Sequence, residues 1–179
     1  NLALYVYPAI WAYFTQARFG WSPDIIGLSL ALYGITSALV QTVLIRSLMR
    51  RWGERLTVLQ GLFFDIGTCL LLAVVTSGTV ALILTPLAAI GAVVTPALQG
   101  TMSRQVADDA QGELQGVLSS VNALAVTLST MVMTSVFPTF TAPPAPVQFA
   151  GAPFLLAALL LIIALVIYRR QVNAAAGAA

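Results

Sequence analysis

The sequence predicts an all-α, polytopic membrane protein with six transmembrane helices, and three observations carry that prediction. Of its 179 residues, 59% are hydrophobic and only 8% charged, about a third of the charge that a soluble domain carries. Apolar stretches close to 20 residues long recur along the chain. At about 1.5 Å of rise per residue, each crosses the roughly 30 Å of bilayer hydrocarbon as a helix. Seven of the eight basic residues, all of them arginine, fall into connections on one side of these stretches. The same composition excludes an ordinary cytoplasmic enzyme, a nucleic-acid-binding domain and a disordered segment. Without histidine, and with Cys69 as its one cysteine, the chain offers no histidine-based triad, no thiolate zinc site and no disulfide framework. No cofactor or metal is expected.

The first apolar run, residues 2–14, is short, since thirteen helical residues reach only about 20 Å. The chain opens on Asn1 without the basic start or small-residue cleavage site of a signal peptide. The run therefore reads as a span cut through its middle, and the chain as a fragment of a longer polypeptide. Further spans are expected near 25–45, 56–76, 80–102, 114–137 and 147–168. The turn Ser77-Gly78-Thr79 is too short to separate the third and fourth spans, so they are antiparallel neighbours. Residues 137–146 hold four prolines and read as an extended outer loop. The last span is entered through the turn Ala150-Gly151-Ala152-Pro153. Residues 1–170 thus form one six-helix bundle, and 171–179 a short cytoplasmic tail with no further signal.

Arginine placement sets the orientation. Arg46, Arg50, Arg51 and Arg55 lie between spans 2 and 3, Arg104 between spans 4 and 5, and Arg169 and Arg170 after span 6, with Arg18 alone on the opposite side. The positive-inside rule then puts the larger group and the C-terminus in the cytoplasm of a multi-pass inner (plasma) membrane protein. Trp11, Tyr13, Phe14, Phe19 and Trp21 gather at the outer end of spans 1 and 2, the position of an interfacial aromatic belt.

Asp65 is the one ionisable residue near the middle of a span. An intramembrane carboxyl is costly unless it is neutral, paired or facing water, and it marks a functional site by default. Loading and releasing a proton is one role for it. The other is helix–helix glue, with Thr68, Gln60 or a neighbouring span as partner. Span 5 is two-faced at helical spacing. Gly112, Gly116, Ser119, Ser120, Asn122, Thr127, Thr130 and Thr134 share one broad side, and Leu114, Val117, Val121, Leu124, Leu128 and Val132 the other. The polar side suits either a water-filled pathway or close packing on a neighbour, and the GxxxG at Gly112 to Gly116 favours packing at that end. Asn122, Thr127, Thr130 and Thr134 are the candidates to line a cavity, with Gln41 of span 2. Pro86, Gly91, Pro96 and Gly100 mark span 4 as kinked. In the loop Arg50-Arg51-Trp52-Gly53-Glu54-Arg55, the arginines either hold the loop inside or act as a latch on helix-end carbonyls or a loop carboxylate.

Several of these segments resemble the C-terminal half of a major facilitator superfamily transporter of the tetracycline/proton antiporter type. The most specific is Pro96-Ala97-Leu98-Gln99-Gly100-Thr101-Met102-Ser103-Arg104-Gln105-Val106, continuing through Gln111-Gly112-Glu113-Leu114-Gln115-Gly116. Arg18-Phe19-Gly20-Trp21-Ser22-Pro23 with Ile26-Gly27-Leu28-Ser29-Leu30-Ala31 is a second. Arg51-Trp52-Gly53-Glu54-Arg55, similar to the superfamily's loop motif, is a third. The resemblance implies that the six spans are the seventh to twelfth of a twelve-helix protein, one half of the superfamily fold, with the N-terminal six-helix half as partner. It also implies that Asp65 holds the place of an aspartate tied to proton-coupled drug export, and that Arg51, Gly53 and Arg55 belong to a conformational latch. Two departures bear on substrate. The stretch from Gly34 to Gln41 has no histidine where tetracycline exporters have one, and Arg50 replaces the loop motif's aspartate.

The expected function is therefore proton-coupled export of a small amphipathic molecule, with protons and the lipid bilayer as the other partners. An intramembrane enzyme lacks the paired groups it needs. A stand-alone six-helix protein with a scaffold or self-association role is the alternative.

Overall fold

The structure is a computed structural model and describes residues 1–141 and 149–177. Among the described residues seven α-helices occur in order: α1 (Val6–Phe19), α2 (Pro23–Leu39), α3 (Ile45–Val74), α4 (Gly78–Ala88), α5 (Val94–Ser103), α6 (Gln111–Thr141) and α7 (Ala152–Gly177). No strand occurs among the described residues. A π-helical turn at Val40–Leu44 runs α2 into α3, and a 3-10 segment at Ala89–Val93 runs α4 into α5. Helical backbone thus continues from Pro23 to Val74, 52 residues, far longer than one crossing requires. Gly53 divides it. Its φ of 71° and ψ of 174° lie outside the helical region, a left-handed setting that glycine adopts without the cost a Cβ imposes. The result is six rods, and the tight loop expected between spans 2 and 3 is reduced to a single residue.

Local sequence explains most of the ends. α2 starts with Pro23 in its first turn and Asp24 beside it, where a missing N–H is harmless and a negative charge suits the helix dipole. In the fourth rod, Pro86 and Pro96 bracket the 3-10 segment, and neither donates to the carbonyl four residues earlier. The kink expected there is this change of helical pitch. Two boundaries differ from expectation. Residues 137–141 are helical, with Pro138 inside α6, and the rest of the expected loop, 142–148, lies outside the described residues. The final helix runs past Arg170 to Gly177, since Ala174, Ala175 and Ala176 favour helix.

The core lies around α3, which packs chiefly along α7 and along the α4–α5 rod. Val58 and Leu72 of α3, Ile10 and Phe14 of α1 and Phe154 of α7 are fully enclosed. The aromatic belt is revised by this packing. Trp11, Phe14 and Trp21 are buried, and Phe14 meets Phe154 edge-on with centroids 4.8 Å apart. Of the belt residues Tyr13 faces outward, 61% exposed; Trp11, Phe14 and Trp21 form a buried cluster, with the half-buried Phe19 packed against it.

The two ends of the bundle carry different contacts. At one end Arg18 Nε donates to the Val75 carbonyl at 3.1 Å. At the other, Arg104 pairs with Glu54, and Arg55 donates to the Val172 carbonyl at 2.7 Å. Arg18 is therefore separated from the other arginines by the thickness of the bundle. α6 stands apart, with only 17% of its most apolar stretch buried. It rests on α1 and α7 through a face that includes Ser129 and Met133.

Candidate functional site: a cavity at Asp65

Asp65 lies on α3 nine residues past Leu56, 3% exposed. Its carboxyl rests against the backbone at Gly91, where an added Cβ would overlap the carboxyl atoms. Neither Thr68 nor Gln60 holds it. Thr68 Oγ1 donates instead to the Phe64 carbonyl at 2.9 Å, and Gln60 is exposed. Asp65 Oδ2 is buried without a hydrogen-bond partner among the described residues. A polar atom left so inside an apolar bundle loses hydration with nothing in return, a cost that helix glue would have avoided.

The carboxyl borders a cavity of about 420 Å³. Four aromatic side chains line it: Tyr5, Tyr7, Trp11 and Tyr33. Tyr7 and Tyr33 stack with centroids 5.6 Å apart, and the buried Tyr7 hydroxyl is also without a partner among the described residues. Trp11 Nε1 donates to Ser29 Oγ at 2.8 Å, which fixes the indole against α2. Side-chain amides come from Gln41, Gln99 and Asn122, and the Asn122 amide donates to the Tyr5 hydroxyl at 3.2 Å. Among the described residues the lining includes no arginine. Such a volume suits a small organic molecule, offering ring faces, amide hydrogen bonds and one carboxyl.

Of the residues expected to line a cavity, Gln41 and Asn122 do so together with Asp65. The π-helical turn Val40–Leu44 contains Gln41, and such single turns often occur at functional sites. Thr127, Thr130 and Thr134 are elsewhere. All three are exposed on α6, and each hydroxyl donates to its own helix, at 3.0 Å to Ala123, 2.9 Å to Val126 and 2.6 Å to Thr130. Rotation about the helix explains the difference. Asn122 lies on the side of α6 turned to α1, whereas the threonines lie on a flank that no element covers among the described residues. Gly112 and Gly116 share that open flank, with nothing within 4 Å of a Cβ at either. Tyr7, Tyr33, Thr85 and Gln99, which line the cavity, and Gly91, against which the carboxyl rests, were not among the expected site residues. Gln99 had a signal in the Pro96-to-Val106 motif; the others required the helices to be assembled.

The loop residues form a second cluster. Glu54 accepts from Thr101 Oγ1 at 2.8 Å while pairing with Arg104, which ties the 2–3 junction to the end of α5. Gln111 extends the tie, donating to the carbonyls of Ser103 and Val106 at 2.7 and 3.0 Å. Gly53 provides the break and Arg55 reaches α7, while Arg51 is exposed and enters no ion pair among the described residues.

No protein-family model matches the chain. Among curated proteins, the class C tetracycline resistance protein of Escherichia coli is 39% identical over 129 residues, 72% of this chain and 33% of that protein. The class H tetracycline resistance protein of Pasteurella multocida is 43% identical over 114 residues, 63% of this chain and 28% of that protein. This chain is a relative of the tetracycline resistance proteins. The resemblance to this family is thus borne out, and with it the all-α membrane bundle of the major facilitator type. A shorter match, 37% over 98 residues, joins 53% of the chain to 19% of the hippocampus abundant transcript-like protein 1 of Rattus norvegicus. The match with the class C relative spans about a third of that protein's length.

Proposed function

We propose that the protein carrying this chain is a proton-coupled antiporter that exports a small amphipathic compound, with Asp65 as the group that carries the proton. The observation that supports this most is the Asp65 carboxyl, buried on the wall of an aromatic-lined cavity, with its Oδ2 without a hydrogen-bond partner among the described residues. A permanently ionised carboxylate would be unstable there. Relatives named for tetracycline resistance support drug export as the class of activity.

In this reading the cavity alternates between the two sides of the membrane as two six-helix halves rock about a midplane site. The partner is an N-terminal half, which covers the open polar flank of α6 and sets Thr127, Thr130 and Thr134 along the pathway. Residues 1–170 are the bundle and 171–179 the tail. Arg51, Gly53 and Arg55 belong to a cytoplasmic latch, supported by the Glu54–Arg104 pair and the Arg55 bond to α7. The protein resides in the inner membrane with its C-terminus in the cytoplasm, supported by the separation of Arg18 from the other arginines.

The test is uptake into proteoliposomes holding the full-length protein, driven by an imposed proton gradient, with tetracycline and ethidium as probes. Gradient-driven uptake of at least one probe is expected, and Asp65→Asn reduces it tenfold or more. Uptake that survives this substitution unchanged refutes the coupling role. Uptake of neither probe, with the chain running as a stable self-associated oligomer in detergent, favours a scaffold.

A further inference from the structure

Asp65 is held by a shape. The carboxyl lies where a side chain on residue 91 would otherwise project, so its place exists only because that residue is glycine. The seat is part of the 3-10 segment Ala89–Val93, between Pro86 of α4 and Pro96 of α5. Gly91 is buried, as are its neighbours Ala89 and Val93. The seat therefore offers the carboxyl backbone and hydrocarbon, but no side-chain donor among the described residues; the titratable groups that face the carboxyl are on its other sides, Cys69 of α3, Tyr7 of α1, Tyr33 of α2 and the amine of Asn1. Ala92, next in the same segment, is among the residues lining the cavity, so the carboxyl lies between a dry surface and an open space.

We propose that Gly91 is a positioning residue for proton coupling: it provides a seat between α3 and the α4–α5 rod that the Asp65 carboxyl occupies only in its neutral form. A neutral carboxyl tolerates a seat without donors far better than a carboxylate, whose charge would stand unpaired among apolar groups. On losing its proton the group turns from Gly91 toward the cavity, where water or substrate can meet it. Seating the neutral acid closes the seam between the two rods, and releasing it loosens the same seam. The two positions of one side chain thus separate the proton-loaded return of an antiporter from its substrate-loaded stroke. The proton enters on the carboxyl from water on one side and leaves to water on the other. This inference rests on the antiport reading above and adds a residue to it.

The test separates two transport modes in the full-length protein in proteoliposomes, using whichever of tetracycline and ethidium the wild type carries. Gradient-driven uptake needs both strokes of the cycle. Counterflow, the exchange of labelled for unlabelled probe at equal pH on both sides, needs only the substrate-loaded stroke. With Gly91→Ala the carboxyl is displaced from its seat, so gradient-driven uptake falls tenfold or more while counterflow stays within about twofold of wild type. Gly67→Ala, on α3 with nothing within 4 Å of the new methyl, leaves both modes unchanged and controls for glycine replacement in a helix. Should Gly91→Ala fail to fold, hydrogen exchange in the wild type carries the test: corrected for the intrinsic rate, exchange across Ala89–Val93 rises severalfold from about pH 5 to about pH 9, whereas in Asp65→Asn, neutral at both, it stays slow, and exchange that does not change with pH overturns the inference. Equal loss of both modes assigns Gly91 a merely structural role and overturns the inference, as does a variant that retains wild-type gradient-driven uptake. Those results leave the antiport reading intact if Asp65→Asn still abolishes driven uptake. Loss of that reading itself shows as driven uptake by Asp65→Asn.

Discussion

Gly53 and Asp65 are two residues whose behaviour follows from a single local fact each. At Gly53 the backbone has φ of 71°, where any L side chain is strained by about 1–2 kcal/mol. Gly53→Ala is therefore expected to destabilise the protein by about that amount, read as a lowered thermal midpoint in detergent. A midpoint equal to wild type would show that the junction adopts another conformation. Asp65 was legible in the sequence because the one charged residue of the span 56–76 needs no neighbours to be noticed. Gly91 was legible only as part of a kink, because the surface that makes it special belongs to α3. Tyr7 and Tyr33 were hidden for a related reason, since their ring faces acquire meaning only when α1 is laid against α2.

Among the elements, α6 has three sides. One rests on α1 through Asn122, Ser129 and Met133; a second carries exposed Leu124, Leu128 and Met131; the third carries Thr127, Thr130 and Thr134. Periodicity in the sequence resolved the polar and apolar sides, yet it could not tell which part of the polar side meets this chain. That is why Asn122 joins the cavity and the threonines do not. If the third side is lined by water in the full-length protein, Thr130→Cys will react with a membrane-impermeant maleimide and Leu128→Cys will not, followed as a mass shift with Cys69 replaced by Ala. Equal labelling of the two sites would place both flanks in the same medium. The connections were read least accurately. Proline content suggested extended chain from 137 onward, but helical hydrogen bonding outlasts Pro138, as membrane helices tolerate where neighbouring groups re-satisfy the carbonyls.

For the molecule as a whole, the number of rods was readable from hydropathy and charge, because hydrocarbon leaves helices few alternatives for satisfying their backbone. The packing order was not, since lipid-exposed and buried leucines look alike in sequence. The orientation is a testable property at this scale. A reporter fused after Ala179 that is active only in the cytoplasm is expected to be active, and one inserted beside Arg18 inactive. The reverse pattern would invert the topology and with it the direction of transport.

The junction at Gly53 limits how this bundle can move. One residue of extended chain spans at most about 3.8 Å, less than a single turn of helix. The two rods it joins have no slack to slide past one another along the membrane normal. They can only swivel about their common end, so any change that opens the cavity at Asp65 will have the motion of a hinge and not of a piston.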